Sequence, residues 1–262
     1  MEIPKVVERF VESVAKKYSP NFAIKNKSTP TGLYKIVAEV IRVFNKDIDS
    51  RYITTLLGEC WVPSNFFMRP TENSLAVLAH EVLHEYDRKR MGSVPFVFLY
   101  LFPQILSVLS LLSFLAIGFG PWWLLSLLFL LFLLPIPSPG RMWLELRGYR
   151  VDLMINKHVH NYSNEALDKQ AEEFATYFIG GDYYWMWPFK KHIVSLLKKK
   201  DTDAEIIYVE LLNFFINEAF VQRNAWVPYP LPADLLKDFQ DRSLETEVRD
   251  SDISEVSPPK TS

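Results

Sequence analysis

Among the 262 residues of this chain, His80, Glu81 and His84 have the types and spacing that point most directly to chemistry. In His80-Glu81-Val82-Leu83-His84 the two imidazoles stand four residues apart. On a helix they project from one face, so both can reach a single ion. Glu81 follows His80 by about 100° of helical rotation. From there it can hold a water on that ion without becoming a ligand itself. A Lewis acid beside a carboxylate base is the equipment of hydrolysis. On a merely solvated helix the same residues would have no joint role, so the elements that carry them decide the matter.

Pro70, Thr71 and Asn73 supply start signals for a helix running to about Arg90, and Gly92 and Pro95 end it. Leu75, Leu78 and Val82 fall on the face opposite the histidines and give it something to pack with. Before it, Arg51 to Leu57 is rich in β-formers and bounded by Gly58, so a strand is expected over 51–57. As a sheet edge it would suit an extended peptide. Residues 1–18 and Leu33 to Phe44 show helical apolar spacing, with a polar linker from Ser19 to Pro30 between them. Further helices are expected over 140–158, 164–179 and about 203–221. No internal repeat is found.

Between the motif helix and the 140–158 helix, Met91 to Gly140 holds fifty consecutive residues without Asp, Glu, Lys, Arg or His. The chain averages, a net charge of -2 and a mean hydropathy of +0.02, hide this gap. It divides at Gly118-Phe119-Gly120-Pro121 into two apolar arms. Val94 to Ile117 reaches about 36 Å as a helix and Pro121 to Ile136 about 24 Å, against a hydrocarbon core of about 30 Å. A membrane hairpin is therefore expected, spanning, or re-entrant if the first arm starts at Pro103. Arg88, Lys89 and Arg90 precede the block and Arg141, Arg147 and Arg150 follow it, which assigns both soluble parts to the cytoplasmic side. The expected domains are 1–90 with the motif, 91–140 as the hairpin, 141–240 as the second catalytic part and 241–262 as a disordered tail. The near balance of 29 basic and 31 acidic residues argues against a nucleic-acid binder. One cysteine, Cys60, excludes an internal disulfide and reads as a packing residue. The N-terminus shows no cleavable secretion signal.

The motif resembles that of the zincin metallopeptidases. Asp87 and Arg90 stand where the extended metzincin form has its Gly and third His, which leaves the gluzincin type with a downstream Glu as third ligand. The order of motif, apolar hairpin and returning helix over residues 50–155 is closest to the membrane-integrated zinc proteases of the CAAX-processing and HtpX heat-shock type. Their Glu-x-x-Ala-Asp helix corresponds to Glu145-Leu146-Arg147-Gly148-Tyr149 here, with Tyr149 in place of the Asp and Asp152, seven residues after Glu145, as a substitute. Glu172, followed by Glu173-Phe174-Ala175, is a rival third ligand.

The resemblance implies a mainly α (α+β) fold, zincin-like with a small sheet, interrupted by the membrane hairpin. It implies Zn²⁺ held by His80, His84 and Glu145, Glu81 as general base, and Tyr149 or Arg147 as an oxyanion helper. The implied activity is a membrane-anchored peptidase whose partners are the bilayer and a peptide or membrane-protein substrate. The alternatives are a zinc hydrolase acting on a non-peptide amide or ester and an inactive membrane scaffold. His158, His160 and His192 read as surface residues.

Overall fold

The computed structural model describes residues 3–44, 49–50, 52–68, 71–158, 162–199, 207, 209–211 and 213–214. The chain is mainly helical with one small sheet. It opens with α1 (Lys5–Phe10), a π-helical turn (Val11–Ala15) and α2 (Lys16–Tyr18). Val7, Phe10, Val11 and Val14, the apolar stripe expected over 1–18, are buried in the main core. α3 (Gly32–Phe44) follows β1 (Ala23–Asn26), which lies within the stretch expected to be a linker. β1 is too short to show a pattern of its own, and it is a strand because β3 (Glu59–Val62) pairs with it in parallel.

β2 (Thr54–Leu56) occupies the centre of the strand expected over 51–57 and pairs antiparallel with β3, giving the order β1-β3-β2. Leu57 and Gly58 both have positive φ, 53° and 90°, so the hairpin closes on a two-residue turn of the type that matches strand twist. Cys60 and Val62 face the main core, while Trp61 stacks on Tyr34 of α3 at 4.4 Å.

α4 (Thr71–Met91) carries the motif and buries Leu75, Leu78, Ala79, Val82 and Leu83. Gly92, at φ 86°, turns the chain into α5 (Ser93–Leu101). The chain then bends by 93° into a first arm, Gln104–Leu115, continued by α6 (Ala116–Phe119). Gly120, at φ 110°, leads into the second arm, Pro121–Leu133. Among the described residues no single helix is long and apolar enough to cross a membrane; α5 and Gln104–Phe119 pass that test only as a bent pair.

Both arms are 3-10 helices, and the residue pattern agrees with three residues per turn. Ser107, Ser110 and Ser113 recur every third position and are the less exposed residues of their stretch, with Ser110 buried. In the second arm Ser126, Phe129 and Phe132 form the matching row, and the Ser126 hydroxyl donates to the Ser110 carbonyl at 3.4 Å. The outward positions are large and exposed, among them Leu111, Phe114, Leu125 and Leu128.

A polar clasp closes the neck of the hairpin. Gln104 Nε2 donates to the Ile136 carbonyl at 2.9 Å, and Ser138 Oγ to that of Phe102 at 2.5 Å. Arg141 Nε donates to the Tyr100 carbonyl at 2.9 Å.

From this neck starts α7 (Pro139–His158). Val151 and Ile155 join the main core, while Met142, Leu146 and Tyr149 join a second core with α8 (Asn164–Ile179) and α9 (Lys190–Leu197). Ser163 caps α8 by accepting from the Ala166 amide at 3.2 Å. Of the helix expected over 203–221, Ile207, Leu211 and Phe214 are described and sit in the main core. The expected tail over 241–262 lies outside the described residues.

Candidate metal centre

His80 and His84 share the face of α4 turned toward α7, and Glu145 of α7 turns back toward them. All three are buried, at 6%, 8% and 2% exposure. Glu145 Oε2 lies 3.5 Å from His80 Nε2, and Oε1 lies 3.7 Å from His84 Nε2. One ligand atom from each falls within 4.8 Å of the others, an arrangement that could hold a metal ion. The helices approach this closely because position 148 is glycine. A Cβ there would stand 2.2 Å from His80 Nε2, so any larger residue would push the imidazole out of place.

Asp152 is one helical turn below. Its Oδ2 lies 3.2 Å from His80 Nδ1, which orients the ring with Nε2 toward Glu145. Burial disfavours a charge on His80, but the bonds to Asp152 and Glu145 outweigh it and hold the imidazole well above its ordinary pKa. Burial likewise opposes ionisation of Glu145, yet the two imidazoles hold its carboxyl well below the usual carboxylate range.

Glu81 is half-buried on α4. Tyr149 packs edge-on to the His80 ring at 5.1 Å, and its hydroxyl is 2.9 Å from that of Tyr183. Burial and the nearby Glu145 charge keep both phenols protonated well past their ordinary range.

Arg147 is committed elsewhere. Its Nη1 pairs with Asp87, both groups are buried, and the guanidinium lies over Trp143 at 4.7 Å. Those partners hold it in the packing between α4 and α7. Glu172 and Glu173 are exposed on α8 and take no part in the cluster. His192 is exposed and accepts from Trp187 Nε1 at 3.1 Å. The backbone of His158 ends α7, and His160 lies outside the described residues. Cys60 is fully buried in β3, and burial pushes its thiol pKa up.

The sequence reasoning missed Tyr100. Its hydroxyl donates to Glu145 Oε1 at 2.6 Å, and its ring packs with Phe96 against His84. A phenol inside an apolar run carries no local signal of such a contact, which arises from the turn at Gly92. No family model, curated protein or solved structure matches the chain.

Proposed function

We propose that this chain is a membrane-anchored, zinc-dependent metallopeptidase of the gluzincin type, working at the cytoplasmic surface of a bilayer. The observation that carries the reading is the buried cluster of His80, His84 and Glu145. Two nitrogen donors and one oxygen donor are the ligand set of a catalytic zinc site. Ligands about 2.0–2.1 Å from one ion at tetrahedral angles stand roughly 3.3–3.4 Å apart, and the carboxylate lies 3.5 Å from His80 Nε2 through Oε2 and 3.7 Å from His84 Nε2 through Oε1. Asp152 adds the carboxylate–histidine contact that usually accompanies such a ligand. Bound there, zinc supplies a Lewis acid that brings water to a pKa of about 7 and polarises the scissile carbonyl.

The chain's own residues do the rest. Glu81, next to His80 but outside the ligand set, accepts the proton of the attacking water and returns it to the leaving amine. β2 is an edge strand of the sheet, so an extended substrate can pair with it along the backbone. Tyr149 braces the His80 ring by its edge-on contact.

The hairpin supports the membrane half of the proposal. Its arms bury serines against each other and present leucines outward, the reverse of a hairpin made to sit in water. The 93° bend lays α5 across the base of the arms, with Val94, Phe98 and Leu101 exposed along it. Arg88, Lys89, Arg90 and Arg141 flank the same base, in keeping with a cytoplasmic frame.

The test is Glu81→Gln in the full chain. Zinc content is expected to stay stoichiometric while cleavage of co-expressed membrane proteins falls by about 10²- to 10⁴-fold, the usual contribution of a general base. Unchanged cleavage removes Glu81 as the base. Wild-type protein purified without zinc removes the enzyme.

A further inference from the structure

The proposed site accounts for three ligands, one base and the aspartate behind His80, but not for Tyr100. This phenol comes from the apolar block, 45 residues before the carboxylate it meets. Its hydroxyl donates to Glu145 Oε1 at 2.6 Å, in the range of a strong O–H···O⁻ bond. The other oxygen, Oε2, is the one nearer His80. Oε1, the oxygen that Tyr100 holds, also lies 3.7 Å from His84 Nε2, so the phenol fixes the carboxylate by the oxygen facing His84 and leaves Oε2 toward His80.

Its own position is set twice. Arg141 Nε donates to its backbone carbonyl at 2.9 Å, and the same guanidinium lies 5.2 Å from the ring centroid. Where α5 and α7 meet, a Cβ on Gly140 would stand 2.3 Å from the Leu99 carbonyl. The phenol therefore has little room to withdraw from Glu145.

We propose that Tyr100 is the positioning residue of the third metal ligand, fixing the orientation of the Glu145 carboxylate and linking the neck of the hairpin to the metal. The proposal rests on the zinc reading above. Asp152 and Tyr100 then play parallel roles: each holds one ligand in its orientation, the first His80 and the second Glu145. An oriented carboxylate costs less to order when the ion arrives.

The experiment compares the full chain in detergent with Tyr100→Phe and Arg141→Leu, using Tyr34→Phe as a buried-phenol control from a separate part of the core. Zinc affinity is measured by chelator competition, the visible spectrum after loading with Co²⁺, and the fold by far-UV circular dichroism. Tyr100→Phe is expected to bind zinc about 10–100-fold more weakly, the usual loss for a partner just outside the ligands. Its Co²⁺ spectrum should shift, since the ligand field changes, while the circular dichroism stays the same. Arg141→Leu, which keeps the hydroxyl but frees the ring, should fall between Tyr100→Phe and wild type, and Tyr34→Phe should match wild type. Wild-type affinity and spectrum in Tyr100→Phe overturn the proposal. Should that chain fail to fold, wild-type values in Arg141→Leu overturn it instead. A wild-type chain that binds no zinc fails the functional reading itself, which separates the two outcomes.

Discussion

Two helix pairs in this chain are built on opposite rules. Where α4 meets α7, the contact encloses His80, His84, Glu145, Asp87 and Arg147, and leucines and valines close around it. Where the two arms meet, the buried residues are Ser110 and Ser126, and the leucines point away. The first pair pays for its buried charges by pairing each with another. The second would gain nothing from turning leucines inward in the bilayer proposed for it, where they are equally well placed outside, and small residues let the backbones close up. On that proposal the chain follows one solvent's logic up to Gly92 and another's beyond Pro103.

The comparison can be broken most sharply on its charged side. Glu145→Gln removes the proposed third ligand, so zinc affinity should fall by more than the roughly 10–100-fold lost with a partner outside the ligand set. Glu172→Gln, on the exposed face of α8, should leave affinity unchanged. The reverse result would move the third ligand to α8.

On the apolar side, Leu128 is 62% exposed near the middle of the second arm. In water Leu128→Lys should be close to neutral. In a bilayer it should cost about 2.5–3.5 kcal/mol, read as loss of the alkali-resistant membrane fraction. An unaffected fraction would place both helix pairs under the same rule.

The smallest effect sharpens the charged side. Lys27 is buried beneath the sheet, donates to Thr54 Oγ1 at 3.0 Å, and has its pKa lowered by burial to about 8. The unfolded chain holds that proton more tightly, so between about pH 8 and 10.5 it binds more protons and stability rises with pH. Lys27→Met should abolish that rise and stabilise the frame by about 1–2 kcal/mol at pH 7, once the lost hydrogen bond is offset. Thermal melts across this pH window would check it.

Much of this frame is legible in the sequence because it depends on local spacing. The i,i+4 histidines, Glu145 and the aspartate seven residues after it name four groups that the fold does bring together, since each pair lies on one helix face. The helix over 164–179 is found residue for residue, because Ser163 caps it and Gly180 ends it. What escaped depends on partners far along the chain. β1 is four residues with no alternation to speak of, and only β3 makes it a strand. Arg147 looked available on its own helix, while Asp87, sixty residues earlier, had already claimed it. The arms were expected as α-helices because hydropathy carries no period there, yet the serine spacing at 107, 110 and 113 held the period of three in view.

That period also bears on depth. A 3-10 helix advances about 2.0 Å per residue where an α-helix advances about 1.5 Å. The thirteen residues from Pro121 to Leu133 would thus reach roughly 26 Å in 3-10 form, and roughly 20 Å in α form. Tighter winding yields a longer rod. A segment too brief to traverse about 30 Å of hydrocarbon by the usual residue count comes within a few ångströms of doing so, and the glycine turn at its tip would then lie close to the opposite headgroups.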